Sequence, residues 1–356
     1  MHPGSGAGNP LEVTIRLDDG EECLFDLDTG ASMSLLDISL EPKLGPRLRT
    51  VTLWRWGKSE NSGTYASPGF SLGGVLLRKT GRYVFTTSLK DLSPDDRHPL
   101  LGLIGMDVLK HYCLQLDFTA GQIRFLDDRH ADKRAWGTPF PLHDVGDGCP
   151  SILDNLAGAK DSGSLIDTGC NYDGWLTAPI FQQWTNQLAS SADDLVRFPD
   201  VTLGGELYPH ALHVHCLGSR LPSSGDSHMR ANGIGLHTLS RNLVTFDFPH
   251  HIMYLKRVSM EPLAPESTRP ALAAFEQMRK DGRLPGWPKN DPDPAFVEPF
   301  FFPNAQSVIV TPLLVQRAPS LYRYFFQYSS RTDSWTLHRA GRSDLGGGVL
   351  EEFPVP

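Results

Sequence analysis

The sequence predicts an all-β chain in which one β lobe is present twice, followed by a small, mainly-β C-terminal accessory module. Three observations carry this reading. Short runs rich in Val, Ile, Leu, Phe and Thr, punctuated by Gly, Asn, Asp and Pro, dominate residues 11–257, and helical periodicity is brief, clearest in "APIFQQWTNQLA" (178–189). "LFDLDTGAS" (24–32) recurs as "GSLIDTGCN" (163–171), and "LIGMDVLKHYCLQLDF" (103–118) recurs as "GIGLHTLSRNLVTFDF" (233–248). Gly105 and Asp117 stand at the same separation as Gly235 and Asp247, and each copy continues into a closing strand, "GQIRFL" (121–126) or "HIMYLK" (251–256). Two motifs recurring in one order, one with identical internal spacing, mark a duplication.

In chain order, residues 1–10 ("MHPGSGAGNP") read as a flexible tail, 11–130 as the first lobe and 131–257 as the second. "FSLGG" (70–74) matches "VTLGG" (201–205), but Asp28 lies farther from Gly73 than Asp167 does from Gly204. The surplus falls within "TVTLWRWGKSENSGTYASPG" (50–69), where Gly57 and "ENSG" read as hairpin turns, so the first lobe carries a projecting hairpin. Residues 258–306 read as a linker: Pro-rich "EPLAPESTRP", a short amphipathic helix "ALAAFEQMRKDG" ended by Gly282, and "LPGWPKNDPDPAFVEP", too rich in Pro for long regular structure. Residues 307–356 read as the accessory β module, with strands "SVIVTPLLV", "YRYFFQYSS" and "SWTLHRAGR" and turns at "RTDS" and "GGG".

Composition excludes several function classes. With 356 residues, a net charge of -8, a pI near 5.9 and scattered Lys and Arg, there is no electrostatic footprint for nucleic acid or an anionic membrane. No apolar window is long enough to span a bilayer and no signal peptide is visible, which leaves the compartment open between the cytoplasm and secretion after leader removal. The five cysteines are widely and irregularly spaced, against both a disulfide framework and a CxxC zinc site, and most are expected as small core residues. "HALHVHC" (210–216) puts His213 and His215 on one strand face with no third ligand nearby, and "DLGGGVLEE" (344–352) lacks the Lys-Ser/Thr of a phosphate loop. Neither metal nor cofactor is expected.

The chemistry-bearing feature is the repeated Asp-Thr-Gly. Hydrolysis without a metal or a nucleophilic side chain needs one group to take a proton from water and another to give one to the carbonyl oxygen. Two carboxylates held about 3 Å apart do both, because like charges so close cannot both ionise and the pair keeps one proton. Such a pair titrates as a unit. A Thr beside each Asp can hydrogen-bond across to the opposite lobe, and a Gly lets backbone N–H groups approach the carboxylate.

Asp28-Thr29-Gly30 and Asp167-Thr168-Gly169, each followed by an apolar-apolar-Gly motif (Leu103-Ile104-Gly105, and Gly233-Ile234-Gly235 with Gly at one apolar place), resemble the aspartic proteases over roughly residues 11–257. That resemblance covers both the bilobal pepsin-like type and the single-lobe retroviral (retropepsin-like) type. It implies a bilobal acid protease fold, Asp28 and Asp167 as the catalytic pair, Thr29, Gly30, Thr168 and Gly169 as their supports, and Ile104, Gly105, Ile234 and Gly235 crossing beneath the two loops. It also implies a peptide or protein substrate and a monomer, since both DTG turns lie in one chain.

After each DTG, pepsin-like enzymes usually carry Ser or Thr, whose hydroxyl favours the charged Asp. Here the residues are Ala31 and Cys170, so the pair should hold its proton to higher pH. The extra hairpin matches the family's flap, with Tyr65, Trp54 and Trp56 as candidates for its aromatic contact with substrate. Strand alternation puts Asp26 on the same face as Asp28, whereas the second copy has Leu165 there. Asp26 either turns out to solvent or a backbone amide, or carries negative charge on a pocket wall and favours a basic side chain next to the scissile bond. The expected function is therefore aspartic endopeptidase. The alternative is a non-catalytic relative whose cleft binds a peptide without cutting it, against which stands the retention of two mutually repelling acids.

Overall fold

The computed structural model describes residues 1–2, 5–6, 10–55, 58–78, 81–92, 99–127, 129–144, 148–154, 162–170, 173–177, 195–198, 201–208, 212–217, 232–259, 269–294, 296–302, 307–314, 320–329, 332–343 and 349–355. The chain is mostly β, with strands gathered into five sheets among the described residues. In the first copy these are β1 (Glu12–Leu17), β2 (Glu22–Leu27), β3 (Leu35–Asp37), β4 (Arg49–Arg55), β5 (Lys58–Ala66), β6 (Phe70–Leu72), β7 (Val75–Leu76), β8 (Tyr83–Thr87) and β9 (Gly102–Ile104). They form one sheet, in the order β4-β5-β8-β3-β9-β2-β1-β6-β7. A one-turn helix α1 (Met106–Leu109) leads to β10 (Cys113–Asp117), β11 (Gln122–Phe125) and β12 (Thr138–Pro141).

The second copy contains β13 (His143–Asp144), β14 (Pro150–Asp154), β15 (Ser162–Ile166), β16 (Gly174–Thr177), β17 (Leu195–Phe198), the hairpin β18 (Val201–Leu203) and β19 (Glu206–Tyr208), β20 (Leu212–Leu217) and β21 (Asn232–Ile234). Helix α2 (Leu236–Leu239), β22 (Asn242–Asp247) and β23 (Ile252–Arg257) follow. Its large sheet is ordered β13-β14-β15-β21-β16-β20-β17. The run β14-β15-β21-β16-β20-β17 repeats β1-β2-β9-β3-β8-β5 strand for strand. Directions repeat too: β2 runs parallel to β9 and β15 to β21, while β3 and β16 run antiparallel to those same neighbours. The duplication read from short motifs thus extends to a run of six strands in each large sheet.

Local chemistry accounts for these elements. In β1, Val13, Ile15 and Leu17 face the core and Arg16 faces out, and Cys23, Phe25 and Leu27 of β2 join the same core. The matched "LGG" turns have positive φ at both central residues, Gly73 (56°) and Gly74 (83°), Gly204 (60°) and Gly205 (83°), as a two-residue hairpin turn requires. A third sheet, β11-β10-β22-β23-β12, joins the copies along β10 and β22, where Gln115 lies opposite Thr245 and its Nε2 donates to Thr245 Oγ1 at 3.0 Å. Among the described residues, no helix is long and apolar enough to cross a membrane.

Several expectations need correction. The tail is packed where it is described: Ser240 Oγ donates to Gly6 O at 2.7 Å, and Ser5 is buried with its Oγ accepting from Glu12 N–H. "ENSG" is not a turn, because Glu60–Gly63 lie inside β5, paired along β4. The expected boundary at 307 falls after the first strand of the C-terminal unit. That unit contains α3 (Arg269–Lys280), β24 (Phe296–Phe302), β25 (Ser307–Leu314), β26 (Ser320–Ser329), β27 (Ser334–Ser343) and β28 (Val349–Phe353), the strands forming one sheet in sequential order. Pro299 is tolerated within β24 because that strand is at the sheet edge. Ala271 and Phe275 of α3 share a core with Val308, Val310, Tyr324 and Phe326, so the helix belongs to the unit and is not part of a linker. The helix expected at 178–189 and the "GGG" turn lie outside the described residues.

Candidate active site

Each DTG turn leaves the end of a central strand, β2 or β15, beside the parallel strand that carries the apolar-Gly motif. Asp28 N–H donates to Ile104 O and Asp167 N–H to Ile234 O, both at 3.0 Å. Beyond them, Met106 N–H donates to Ala31 O and Leu236 N–H to Cys170 O, both at 2.8 Å. A Cβ on Gly105 would meet Ala31 O at 2.7 Å, so the crossing beneath the first loop requires glycine. In the second copy Gly233 replaces Leu103 because a Cβ there would strike the Trp175 indole at 2.4 Å.

The two turns lock onto each other. Thr29 N–H donates to Thr168 Oγ1 at 3.0 Å, and Thr168 N–H donates to Thr29 Oγ1 at 3.1 Å. Each hydroxyl then donates to the strand preceding the opposite turn: Thr29 Oγ1 to Ile166 O at 2.6 Å and Thr168 Oγ1 to Leu27 O at 2.5 Å. Both threonines are buried, so these four bonds are shielded from water and leave no slack between the turns.

Asp28 and Asp167 lie above this lock, each partly exposed. Gly30 N–H donates to Asp28 Oδ1 at 2.7 Å and Gly169 N–H to Asp167 Oδ1 at 2.8 Å, with Cys170 N–H also reaching Asp167 Oδ1 at 3.2 Å. A Cβ on Gly30 would sit 2.5 Å from Asp167 Cγ, and one on Gly169 would sit 2.6 Å from Asp28 Cγ. Each glycine therefore makes room for the carboxyl of the opposite turn. Burial pushes the Asp167 carboxyl well above the usual carboxylate range, helped by the charge of Asp28 and a hydrogen bond with its carboxyl and opposed by the Gly169 and Cys170 amides. Gly30→Ala or Gly169→Ala should force the carboxyls apart and cost roughly 10²-fold or more in any reaction that needs both. A catalytic assay on variants with unchanged circular dichroism checks this.

The sequence-derived residues divide cleanly. Asp28, Thr29, Gly30, Ile104, Gly105, Asp167, Thr168, Gly169, Ile234 and Gly235 all converge on this site. Ala31 and Cys170 add backbone contacts, and neither provides a hydroxyl donor. Tyr65 does not: it is 3% exposed, packed in the core at the base of the β4–β5 hairpin, with its hydroxyl accepting from Arg47 Nε at 3.0 Å. Trp54 is opposite Ser59 near the hairpin turn, its side chain outside the described residues, as is all of Trp56. Asp26 is 6% exposed and so does not turn into solvent. Glu12, unremarked in the sequence, lies directly opposite it. The "DDG" turn at 18–20 was the signal, since it fixes the β1–β2 register.

Among the described residues, no group of three or more His, Cys, Asp or Glu side chains is placed to hold a metal ion. His210 lies outside those residues, as do the side chains of His213, His215 and Cys216. No family model matches the chain, and no curated protein matches it.

Proposed function

We propose that this chain is an aspartic endopeptidase with a pepsin-like bilobal fold, in which Asp28 and Asp167 activate one water molecule for attack on a peptide carbonyl. The observation that supports this most is reciprocity. Two copies of one strand-turn element bring their carboxyls together, each turn clearing space for the other's acid and each threonine bonded to the other's backbone. A structural role would not need two acids to face one another.

In this reading the pair holds one proton. The ionised member takes a proton from water while the protonated member donates to the carbonyl oxygen, and the roles exchange when the tetrahedral intermediate collapses and the amine leaves. The glycine amides orient the carboxylates, and the threonine lock keeps the two halves in register during the proton transfers. The β4–β5 hairpin, whose strand β4 has no counterpart among the described residues of the second copy, is the candidate cover for bound substrate.

The test is an unbiased peptide-library digest with and without an inhibitor whose hydroxyl mimics the tetrahedral intermediate. Internal cleavages that stop on binding one inhibitor per chain support the proposal, and cleavage indifferent to the inhibitor contradicts it. The pH profile is a further check. With no hydroxyl at positions 31 and 170, and with Asp167 pushed upward, activity should peak nearer neutrality than in pepsin-like enzymes carrying that hydroxyl. A maximum below about pH 3 would contradict the assignment of those two positions.

A further inference from the structure

β1 and β2 carry an unusual pairing beside the site. Leu27 N–H donates to Leu11 O and Leu17 N–H to Glu21 O, which makes the intervening Glu12–Asp26 pair a non-hydrogen-bonded one, the type whose side chains stand closest. At the far end of the same face, the equivalent pair Arg16 and Glu22 makes a 2.7 Å ion pair in solvent. Glu12 and Asp26 are like-charged, and each is only 6% exposed. Asp26 Oδ1 has no hydrogen-bond partner among the described residues.

The fold does not demand acids here. In the second copy the corresponding cross-strand pair is Ser151 opposite Leu165, on β14 and β15. Glu12 and Asp26 therefore stand in one copy only, and Asp26 is two residues before Asp28, which follows the end of β2 and whose charge acts on it.

We propose that Glu12 and Asp26 form a second proton-sharing carboxyl pair, which acts through Asp28 to set the pH range in which the Asp28–Asp167 pair holds its single proton. The inference rests on the catalytic reading above for its consequence, although the pair itself can be tested without it. Two adjacent buried carboxyls retain one proton between them, because the second ionisation would place like charges together out of water. The retained proton stays on the pair as the O–H of one carboxyl, and no other bond is made or broken. The charges that act on Asp26 are Glu12 from β1 and Asp28 just past the end of β2, while β9 presents apolar Leu103 opposite it. Burial, then Glu12, then Asp28 all push the Asp26 carboxyl upward. The one negative charge left on the pair discourages ionisation of Asp28 in turn, moving both limbs of the activity profile to higher pH. Asp26 is thus a positioning residue for a proton and does not charge a pocket wall.

The experiment compares pH–rate profiles of the wild type, Asp26→Leu (the residue of the second copy), Asp26→Asn, Glu12→Gln and the Asp26→Asn/Glu12→Gln double variant. Because the pair holds one charge, which the remaining carboxyl still carries after a single substitution, each single variant should move the optimum little, and the double variant, which removes the charge, should move it down by roughly one pH unit. A double-variant profile superimposable on the wild type, or a uniform fall in its rate at every pH, would overturn the proposal. Melting temperatures of the wild type and Asp26→Asn across pH provide the readout independent of catalysis. The variant should gain stability over the wild type as pH rises above about 4, where an unfolded Asp ionises and the buried one does not. A stability difference that does not change with pH overturns the pair even if the chain is a protease, whereas a pH-dependent gain in a chain that cleaves nothing overturns only the catalytic reading.

Discussion

Asp167→Asn is expected to lower peptide hydrolysis by roughly 10³-fold or more, because it removes one of the two groups that must exchange protons with the water and the carbonyl. The same substitution should make the folded protein more stable near neutral pH, which separates loss of chemistry from loss of structure. The sign follows from the raised proton affinity of Asp167. Below about pH 4 both the folded and unfolded carboxyl hold a proton, and the substitution changes nothing. As pH rises the unfolded chain releases its proton while the folded one retains it, so the wild type loses stability that the Asn variant keeps. Parallel activity and denaturation measurements on one preparation check both halves. An inactive variant that is also less stable at pH 7 would show that Asp167 serves the fold.

The second large effect is expected at the threonine lock. Thr29→Val removes the hydroxyl that donates to Ile166 O and accepts from Thr168 N–H, leaving a buried carbonyl and a buried amide without those partners. At about 1–3 kcal/mol for each of the two unsatisfied groups, the variant should lose about 2–6 kcal/mol in urea denaturation. Thr29→Ser, which keeps the hydroxyl, should lose far less. Thr168→Val should behave alike through Leu27 O and Thr29 N–H, and the double variant should cost less than the two singles added, because the four bonds form one network. Additive losses would mean that the two threonines act separately. Activity should fall in these variants even where the protein is fully folded, since the lock holds the two turns, and with them the carboxyls, in register.

Much of the site was legible because duplication supplies its own control. Asp28 and Asp26 are equally plausible acids in "DLDTGAS" until Asp167 and Leu165 are placed beneath them, and only Asp28 then has a counterpart. The apolar-Gly crossings were readable for the same reason, and the Gly-for-Leu exchange at 233 becomes intelligible once Trp175 is seen filling the space. What was not legible depended on register and tertiary burial. Glu12 reads as the polar side of an ordinary alternating strand, and only the hairpin register brings it opposite Asp26. Tyr65 lies in the hairpin segment, yet its strand position turns it into the core beneath Arg47 and away from the tip. The Pro-rich stretch before residue 300 concealed a strand, because Pro excludes a central strand while leaving an edge strand possible. Gly- and Pro-rich composition at the N-terminus likewise gave no sign of the Gly6 carbonyl bonded to Ser240 or of Ser5 against Glu12.

The claim on which the rest depends is that Asp28 and Asp167 share one proton. Carbon-13 NMR titration of labelled Asp carboxyls, in the wild type and in Asp167→Asn, measures it directly. The account predicts two separated steps for the pair in the wild type, the upper one well above the ordinary carboxylate range, collapsing in the variant to a single step for Asp28. Two independent steps near pH 4 for Asp28 and Asp167, unchanged for Asp28 in the variant, would contradict it.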